Sequence, residues 1–355
     1  MRHLTTWESI VRPLEHRVLR GLDLPVSAIA AGCWTIGGTA TNNGVPIGWD
    51  NVDPDTAYAA LVHAHDLGIT LFDTADVYGL GRSERLLGQL LRQAGRDHLV
   101  VSSKVGYFTG TAAHAYHPAQ MRHQFATTLT NLDTDYLDIY HLHSTDFGTG
   151  DRYLADAVDI MHSLRAQGRI RAIGLRAPHA FAEQWASVDW PETAHTARWL
   201  QLFDAIRPDV LSVRYNLLSP LYGSEETDIF DFARQRGVAV LIKQALGQGT
   251  LLRTSGTPVR TFGPADHRSR DPQFDPSGLA DQDMRLAPIR ARFGDNPTAL
   301  ARVALGYALQ RDPDAAVLVG FRDACQIGMA VACVGEPLQP QDIAWIRSVL
   351  HSTDV

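Results

Sequence analysis

Short apolar runs alternate with longer helical patterns along almost the whole chain. "SAIAAGCW" precedes "DPDTAYAALVHAHDLG", "ITLFDTA" precedes "RSERLLGQLLRQAG", "HLVVSSKV" precedes "PAQMRHQFATTLTNL", and "YLDIYHLH" precedes "RYLADAVDIMHSLRAQG". The pattern continues with "IRAIGLR" and a helical region around 178–205, then "VLSVRYN" and "EETDIFDFARQRG". "VAVLIKQ" leads into a Gly- and Pro-rich insertion over 247–282 ahead of its helix, and "AAVLVGF" is followed by "DACQIGMAVACV". Strands that alternate with helices imply a parallel sheet. Eight such pairs are the number that closes a barrel, so the expected fold class is α/β, a (β/α)8 barrel. A doubly wound open sheet is the alternative. It normally carries a Gly-rich strand–turn–helix for dinucleotide phosphates, and no G-x-G-x-x-G follows the first strand. No linker or break in composition divides the 355 residues. They read as one domain over 1–355, with an N-terminal extension over 1–16 and a long loop, 247–282, after strand seven.

In such a barrel the chemistry sits at the carboxyl ends of the strands. The polar residues expected there are Asp73, Lys104, His143, Arg176, Tyr215, Asn216, Lys243 and Gln244. Four side chains have chemistry that fits together. A tyrosine hydroxyl is a poor acid, with an ordinary pKa of about 10. A neighbouring ammonium stabilises the tyrosinate and lowers that value. A buried lysine needs a counter-charge, which an aspartate supplies, and a histidine can hydrogen-bond a substrate oxygen from the other side. Asp73, Tyr78, Lys104 and His143 thus make a general-acid site for a carbonyl. On spacing alone, Asp73 and Lys104 serve equally as a structural ion pair, and Tyr78 as a packed surface aromatic. His141 and His143 flank Leu142 and are expected on opposite faces of their strand, with at most one at the mouth. Trp34, Trp49, Tyr107, Phe108 and Phe147 are candidates for an apolar wall.

Composition changes the picture at one point. Hydrophobic residues make up 45% of the chain and charged residues 20%, ordinary for a globular protein with a sizeable core. The net charge of −7 gives no reason to expect nucleic acid or anionic membrane as partner. No apolar run is long enough to span a bilayer, and "MRHLTTWESIVRPLEHRVL" lacks the apolar core of a signal peptide. Cys33, Cys325 and Cys333 have neither metal spacing nor an even count. A cytoplasmic protein without a bound metal is the expectation, its oligomeric state open. The informative fact is that only two of the 32 basic residues are lysines, Lys104 and Lys243, both near the ends of expected strands.

The blocks "FDTADVYGLGRSERLLG", "SSKVG", "DTDYLDIYHLH", "GRIRAIGL", "VRYNLLSP" and "GQGTLL" resemble the signature blocks of the aldo-keto reductase superfamily, in order, from Arg17 to about Val349. The resemblance implies a barrel whose bottom is closed by an N-terminal hairpin, here "RVLRGLDLPVSAIA". It implies hydride transfer between NADP(H) and a carbonyl or alcohol of a small molecule, with Asp73, Tyr78, Lys104 and His143 as the catalytic tetrad. Within "IYHLHS" the family histidine is the second, so His141 is not carried over. The resemblance implies cofactor contacts at Gly32, Cys33 and Trp34, and at Gly320, Arg322 and Gln326 after strand eight. The nicotinamide side departs from the family pattern. Arg176-Ala177 stands where Ser-Asn or Ser-Arg is usual, Ser212 replaces a glutamine, and Lys243 replaces a stacking aromatic. Gln244-Ala245-Leu246 replaces Ser-Pro-Leu, and Ala330 replaces an adenine-binding asparagine. Lys243 then faces cofactor phosphates or substrate, or makes a structural ion pair. The departures leave room for a cofactor-retaining epimerase, isomerase or lyase on the same barrel, or a cofactor-sensing regulatory subunit.

Overall fold

The computed structural model describes residues 14–187 and 194–351. Residues 1–13 of the N-terminal extension and part of the helical region expected around 178–205 lie outside the described residues. Eight parallel strands close a barrel: β1 (Ile29–Gly32), β2 (Leu71–Asp73), β3 (Val100–Val105), β4 (Leu137–Leu142), β5 (Ile170–Arg176), β6 (Val210–Arg214), β7 (Ala239–Lys243) and β8 (Ala316–Gly320). They follow one another around the barrel in chain order, and β8 pairs with β1. Alternate residues form one apolar cluster inside: Ala30, Leu71, Val100, Ile139, Ala172, Val210, Leu241 and Leu318 among them. A hairpin of His16–Val18 against Pro25–Ser27 adds Leu19 and Val26 to that cluster, so it packs against the closed end of the barrel core. The intervening strand residues, such as Phe72, Val101 and Tyr140, pack outward with the helices.

The helices that position the site are set by local signals. α1 (Pro54–Asp66) starts at Pro54 behind Asp53, whose carboxylate accepts from the Thr56 N–H. α2 (Arg82–Ala94), α3 (Pro118–Leu132), α4 (Leu154–Ala166), α5 (Ala194–Ile206) and α6 (Ile229–Gln235) follow the next strands. Between β7 and β8 the chain forms two helices, α7 (Pro276–Phe293) and α8 (Pro297–Leu309), instead of one. α7 begins inside the range expected to be loop. Asp275 caps it by accepting from the Gly278 N–H, and Pro276 presets its first turn. α9 (Ala324–Ala332) and α10 (Pro340–His351) end the described chain. No helix among the described residues is long and apolar enough to cross a membrane.

The expectation for the two histidines is wrong. Side chains alternate with period two, so positions 141 and 143 share a face. Both follow Ile139 onto the interior side, His141 below and His143 at the mouth. The His141 ring fills the space above Gly174, where a Cβ would lie 2.1 Å from Nδ1. It is buried, and neither ring nitrogen has a hydrogen-bond partner. Burial pushes its pKa well below the ordinary value, with Lys104 and Lys243 adding to the effect. The unfolded chain therefore takes up this proton below pH ~6.5 while the folded protein does not, and stability falls as the pH drops through that window. His141→Leu removes two unpartnered polar atoms. It should raise the melting temperature and flatten its fall on acidification, by up to about 1.4 kcal/mol per pH unit. Other buried histidines shift the same way, so melts of both proteins across pH isolate the contribution of His141. Equal slopes would mean that the ring is not held neutral.

Candidate active site

The carboxyl ends of the strands open into a cavity of about 760 Å³, within the range of small-molecule sites. Tyr78 reaches it from a tight turn after β2. Gly79, Leu80 and Gly81 all have left-handed backbone, with φ of 62°, 49° and 83°. A Cβ on Gly79 would lie 1.9 Å from the Gly37 carbonyl oxygen, so only glycine lets the turn pack against the loop after β1. The Ser83 hydroxyl pins the turn to the same loop by donating to the Cys33 carbonyl at 2.9 Å.

Four side chains meet at this point. The Lys104 ammonium donates to Asp73 Oδ2 at 2.6 Å and to the Thr74 carbonyl at 2.6 Å. Ser102 donates to the other carboxylate oxygen of Asp73 at 2.7 Å. Lys104 Nζ lies 4.9 Å from the centre of the Tyr78 ring, and the Tyr78 and His143 rings meet edge-on at 6.0 Å. Burial opposes the charge on Lys104, but Asp73 and Tyr78 hold its pKa above the ordinary value. Tyr78 is pushed up to about 12, because burial outweighs the attraction of Lys104. The expected net lowering by the ammonium is therefore corrected, since desolvation of the phenolate is the larger effect. Burial, then Lys104, Lys243 and Arg176, pushes His143 well below its ordinary pKa. Its imidazole is neutral at physiological pH.

The neighbouring strand ends carry positive charge. Arg176 Nη1 donates to the Tyr107 hydroxyl at 2.6 Å, and Nη2 lies 3.3 Å from His179 Nε2. Arg214 Nη1 lies 3.3 Å from the other nitrogen of that ring. Burial and these two arginines push His179 down to about 4. Lys243 ends β7 and lines the cavity. Burial, then Arg176 and Lys104, pushes its ammonium down to about 7. Ser212, Gln244 and Leu246 line the same region.

Farther along the cavity are Gly320, Arg322 and Gln326. Asp323 caps α9 by accepting from the Gln326 N–H, and Gln326 Oε1 accepts from the Arg322 N–H at 3.0 Å. The insertion after β7 supplies Arg260, His267 and Arg268 to the cavity. Asp266 holds Arg268 by two hydrogen bonds of 2.8 Å, and its guanidinium lies over Trp49 and Phe262. His267 sits between Trp34 and Trp49, with ring centres at 4.3 and 4.7 Å. The sequence marked this insertion as a long loop but did not single out these residues. Nothing in a Gly- and Pro-rich stretch signals which side chains fold back over the barrel.

The aldo/keto reductase family matches residues 28–351. The chain belongs to this family. It is 25% identical to the NADH-specific methylglyoxal reductase of Escherichia coli (strain K12), over 94% of this chain and 97% of that protein. In structure it is similar to a glycerol dehydrogenase of Gluconobacter oxydans, with a TM-score of 0.70 and 23% identity over 96% of this chain and 97% of that one. It also resembles an aldo/keto reductase of Klebsiella pneumoniae solved in complex with NADP and acetate, with a TM-score of 0.62 and 23% identity over 94% and 95% of the two chains. The protein is thus an enzyme of an oxidoreductase family on its (β/α)8 barrel. In this aldo/keto reductase the cavity gathers Asp73, Tyr78, Lys104 and His143 with Gly32, Trp34, Arg176, Ser212, Lys243, Gln244, Leu246, Gly320, Arg322 and Gln326. Cys33 is kept out: its side chain is fully buried in the core, and burial pushes its thiol pKa far up. Trp34, Trp49 and Tyr107 line the cavity, whereas Phe147 is buried against Tyr116 and Phe108 does not reach it. Among the described residues no three His, Cys, Asp or Glu side chains are grouped to hold a metal ion.

Proposed function

We propose that this aldo/keto reductase interconverts a small-molecule carbonyl and its alcohol, using NADP(H), with Tyr78 as the proton donor in reduction. The observation that carries the reading is the Lys104–Asp73 pair at 2.6 Å, facing the same cavity as Tyr78 and His143. NADPH supplies the hydride when bound. The residues of this chain do the rest. Tyr78, protonated up to about pH 12, holds the proton that the carbonyl oxygen must receive. Lys104, kept charged by Asp73, stabilises the phenolate left behind. The neutral imidazole of His143 donates an N–H to the carbonyl oxygen and fixes its orientation. Trp34 and Trp49 exclude water from one side. The three cysteines are free, which suits a reducing compartment, and a cytoplasmic location is part of the proposal.

The far end of the cavity fits a phosphorylated cofactor. Arg322 and Arg260 line it with no carboxylate in ion-pair reach among the described residues. Gly320, Arg322 and Gln326 would hold the adenosine phosphates. Gly32, Trp34, Arg176, Ser212, Gln244 and Leu246 would hold the nicotinamide side. A guanidinium fork matches a 2′-phosphate, so Arg322→Ala should weaken NADPH roughly ten-fold or more while leaving NADH nearly unchanged. Fluorescence titration with both cofactors checks this. Equal weakening of the two would remove Arg322 from that role. The relative named as NADH-specific makes the comparison decisive.

Assays of many turnovers with free cofactor and a panel of aldehydes test the reaction itself. Cofactor that copurifies and is never exchanged, with no net oxidation or reduction, would favour the retained-cofactor isomerase. The altered nicotinamide side at Arg176, Ser212 and Lys243 is the observation that keeps that second reading in play.

A further inference from the structure

The ends of β5, β6 and β7 concentrate positive charge beside the proposed reacting centre, and among the described residues no carboxylate pairs with Arg176 or Lys243. Arg176 pairs with Ser212 across β5 and β6, and Arg214 pairs with Lys243 across β6 and β7. Arg214 and Lys243 are therefore direct neighbours by register, and Arg176 lines the same cavity from the next strand, level with Ser212. Beyond its backbone, whose carbonyl accepts from the Tyr215 N–H, the Lys243 ammonium makes no hydrogen bond or ion pair with any described residue. Arg176 is oriented by a tyrosine and a histidine, and among the described residues no carboxylate lies within ion-pair distance of it. Asp73 is the acidic group that acts on Lys243, and Lys104 already engages it.

Lys243 is half-buried, and an ammonium partly withdrawn from water without a counter-ion is unfavourable. A cavity that retains one is suited to a charge that the described residues do not supply. Composition strengthens the point, because this chain uses arginine nearly everywhere and keeps lysine at Lys104 and Lys243 only. The residues proposed for the adenosine phosphates belong to a different charge group. Arg322 feels Arg268, Arg260, Asp266 and Asp323, whereas Lys243 feels Arg176, Lys104, Asp73 and Arg214. The two cationic groups share no member. The second group also acts on His143, whose pKa both Lys243 and Arg176 depress.

We propose that Lys243 and Arg176 form an anion subsite next to Tyr78 and His143, and that the substrates are carbonyl compounds carrying a carboxylate or phosphate near the reacting carbon. This rests on the oxidoreductase reading above. An anion seated there draws the Lys243 proton on and returns the ammonium to full charge. The planar guanidinium of Arg176, steadied by Tyr107, offers paired N–H donors to two oxygens of one group. The same contacts set the side of the carbonyl that faces Tyr78.

The test uses matched pairs with the whole protein and NADPH: glyoxylate against acetaldehyde, 4-formylbenzoate against benzaldehyde, and glyceraldehyde 3-phosphate against glyceraldehyde. The readout is kcat/KM for the anionic member divided by that for the neutral one, so a general loss of activity cancels. The wild-type ratio should be roughly thirty-fold or more for at least one pair. Lys243→Met and Arg176→Gln should each lower it by about ten- to hundred-fold, the loss expected for one charge-assisted hydrogen bond, mainly through KM. The pair with the largest ratio tells carboxylate from phosphate. A wild-type ratio near one, or a ratio unchanged in both variants, overturns the subsite while leaving the reductase reading intact. Should no aldehyde be reduced, the reductase reading fails and binding decides the subsite. Benzoate and inorganic phosphate are then titrated into the cofactor-free protein against the fluorescence of Trp34 and Trp49. A dissociation constant at least ten-fold weaker in folded Lys243→Met supports the subsite, and equal constants overturn it.

Discussion

Tyr78→Phe is expected to lose roughly hundred-fold or more of kcat, with NADPH affinity and melting temperature close to those of the wild type. The magnitude is that of a general acid removed from its transition state. The structure explains why no other group takes over. Lys104 is held by Asp73 and the Thr74 carbonyl, so its ammonium is already committed. His143 is neutral, and burial together with Lys104, Lys243 and Arg176 opposes any proton on its second nitrogen. Asp76 is pushed up to about 7 by burial and by Glu84, but it is buried and bonded to Gln124, and it does not line the cavity. The Tyr78 hydroxyl is protonated at neutral pH, lines the cavity and stands beside both Lys104 and His143. Phe keeps the ring against Trp34 and leaves the turn at Gly79 unchanged. Steady-state rates, a cofactor titration and a thermal melt check the three parts separately. Turnover within a few-fold of the wild type would remove Tyr78 from the reaction.

Lys243→Met is expected to tighten NADP+ relative to NADPH by up to about a hundred-fold. By family resemblance, this side chain replaces the aromatic that stacks on the nicotinamide, and the oxidised ring carries a positive charge that the reduced ring lacks. Two like unit charges ~5 Å apart at an effective dielectric of ~20 repel by about 3 kcal/mol, which corresponds to that factor. The effect has a definite pH dependence. Lys243 titrates at about 7, with Arg176 on β5, Lys104 on β3, Arg214 on β6 and Asp73 on β2 as the charges acting on it. Well below pH 7 the ammonium is charged and disfavours NADP+. Well above pH 7 it is neutral and the penalty fades. In the wild type the ratio of the two dissociation constants should therefore fall as pH rises, whereas in Lys243→Met it should stay flat. Isothermal titration with both cofactor forms on either side of pH 7 reads this directly. A wild-type ratio independent of pH would place the nicotinamide away from Lys243.

Most of the architecture was legible in the chain itself. The alternation of apolar runs with helical patterns marks each barrel strand, because period two and period 3.6 are properties of the local backbone. The positions of Asp73, Lys104 and Lys243 at strand ends follow from the same periodicity, and the barrel rule turns strand ends into a single site. Tyr78 was legible through the resemblance of its block to the family signature, since on spacing alone it reads equally as a packed surface aromatic. Where a local rule was misapplied, the result was wrong: His141 and His143 lie two residues apart and share the interior face.

Other features were decided by what comes together in space. The insertion after β7 hides its contribution: Arg260 lines the cavity, and His267 and Arg268 reach it by packing on Trp34, Trp49 and Phe262. Cys33 neighbours two cavity residues in sequence yet turns into the core. The direction of the Tyr78 shift depends on how far burial outweighs one ammonium. The lack of an ion pair to the Lys243 ammonium among the described residues depends on which side chains meet at three strand ends far apart in the chain. Periodicity is a property of neighbours along the backbone and can be read from one sequence. Solvation and charge balance are sums over neighbours in space, and only the closed barrel determines which those are.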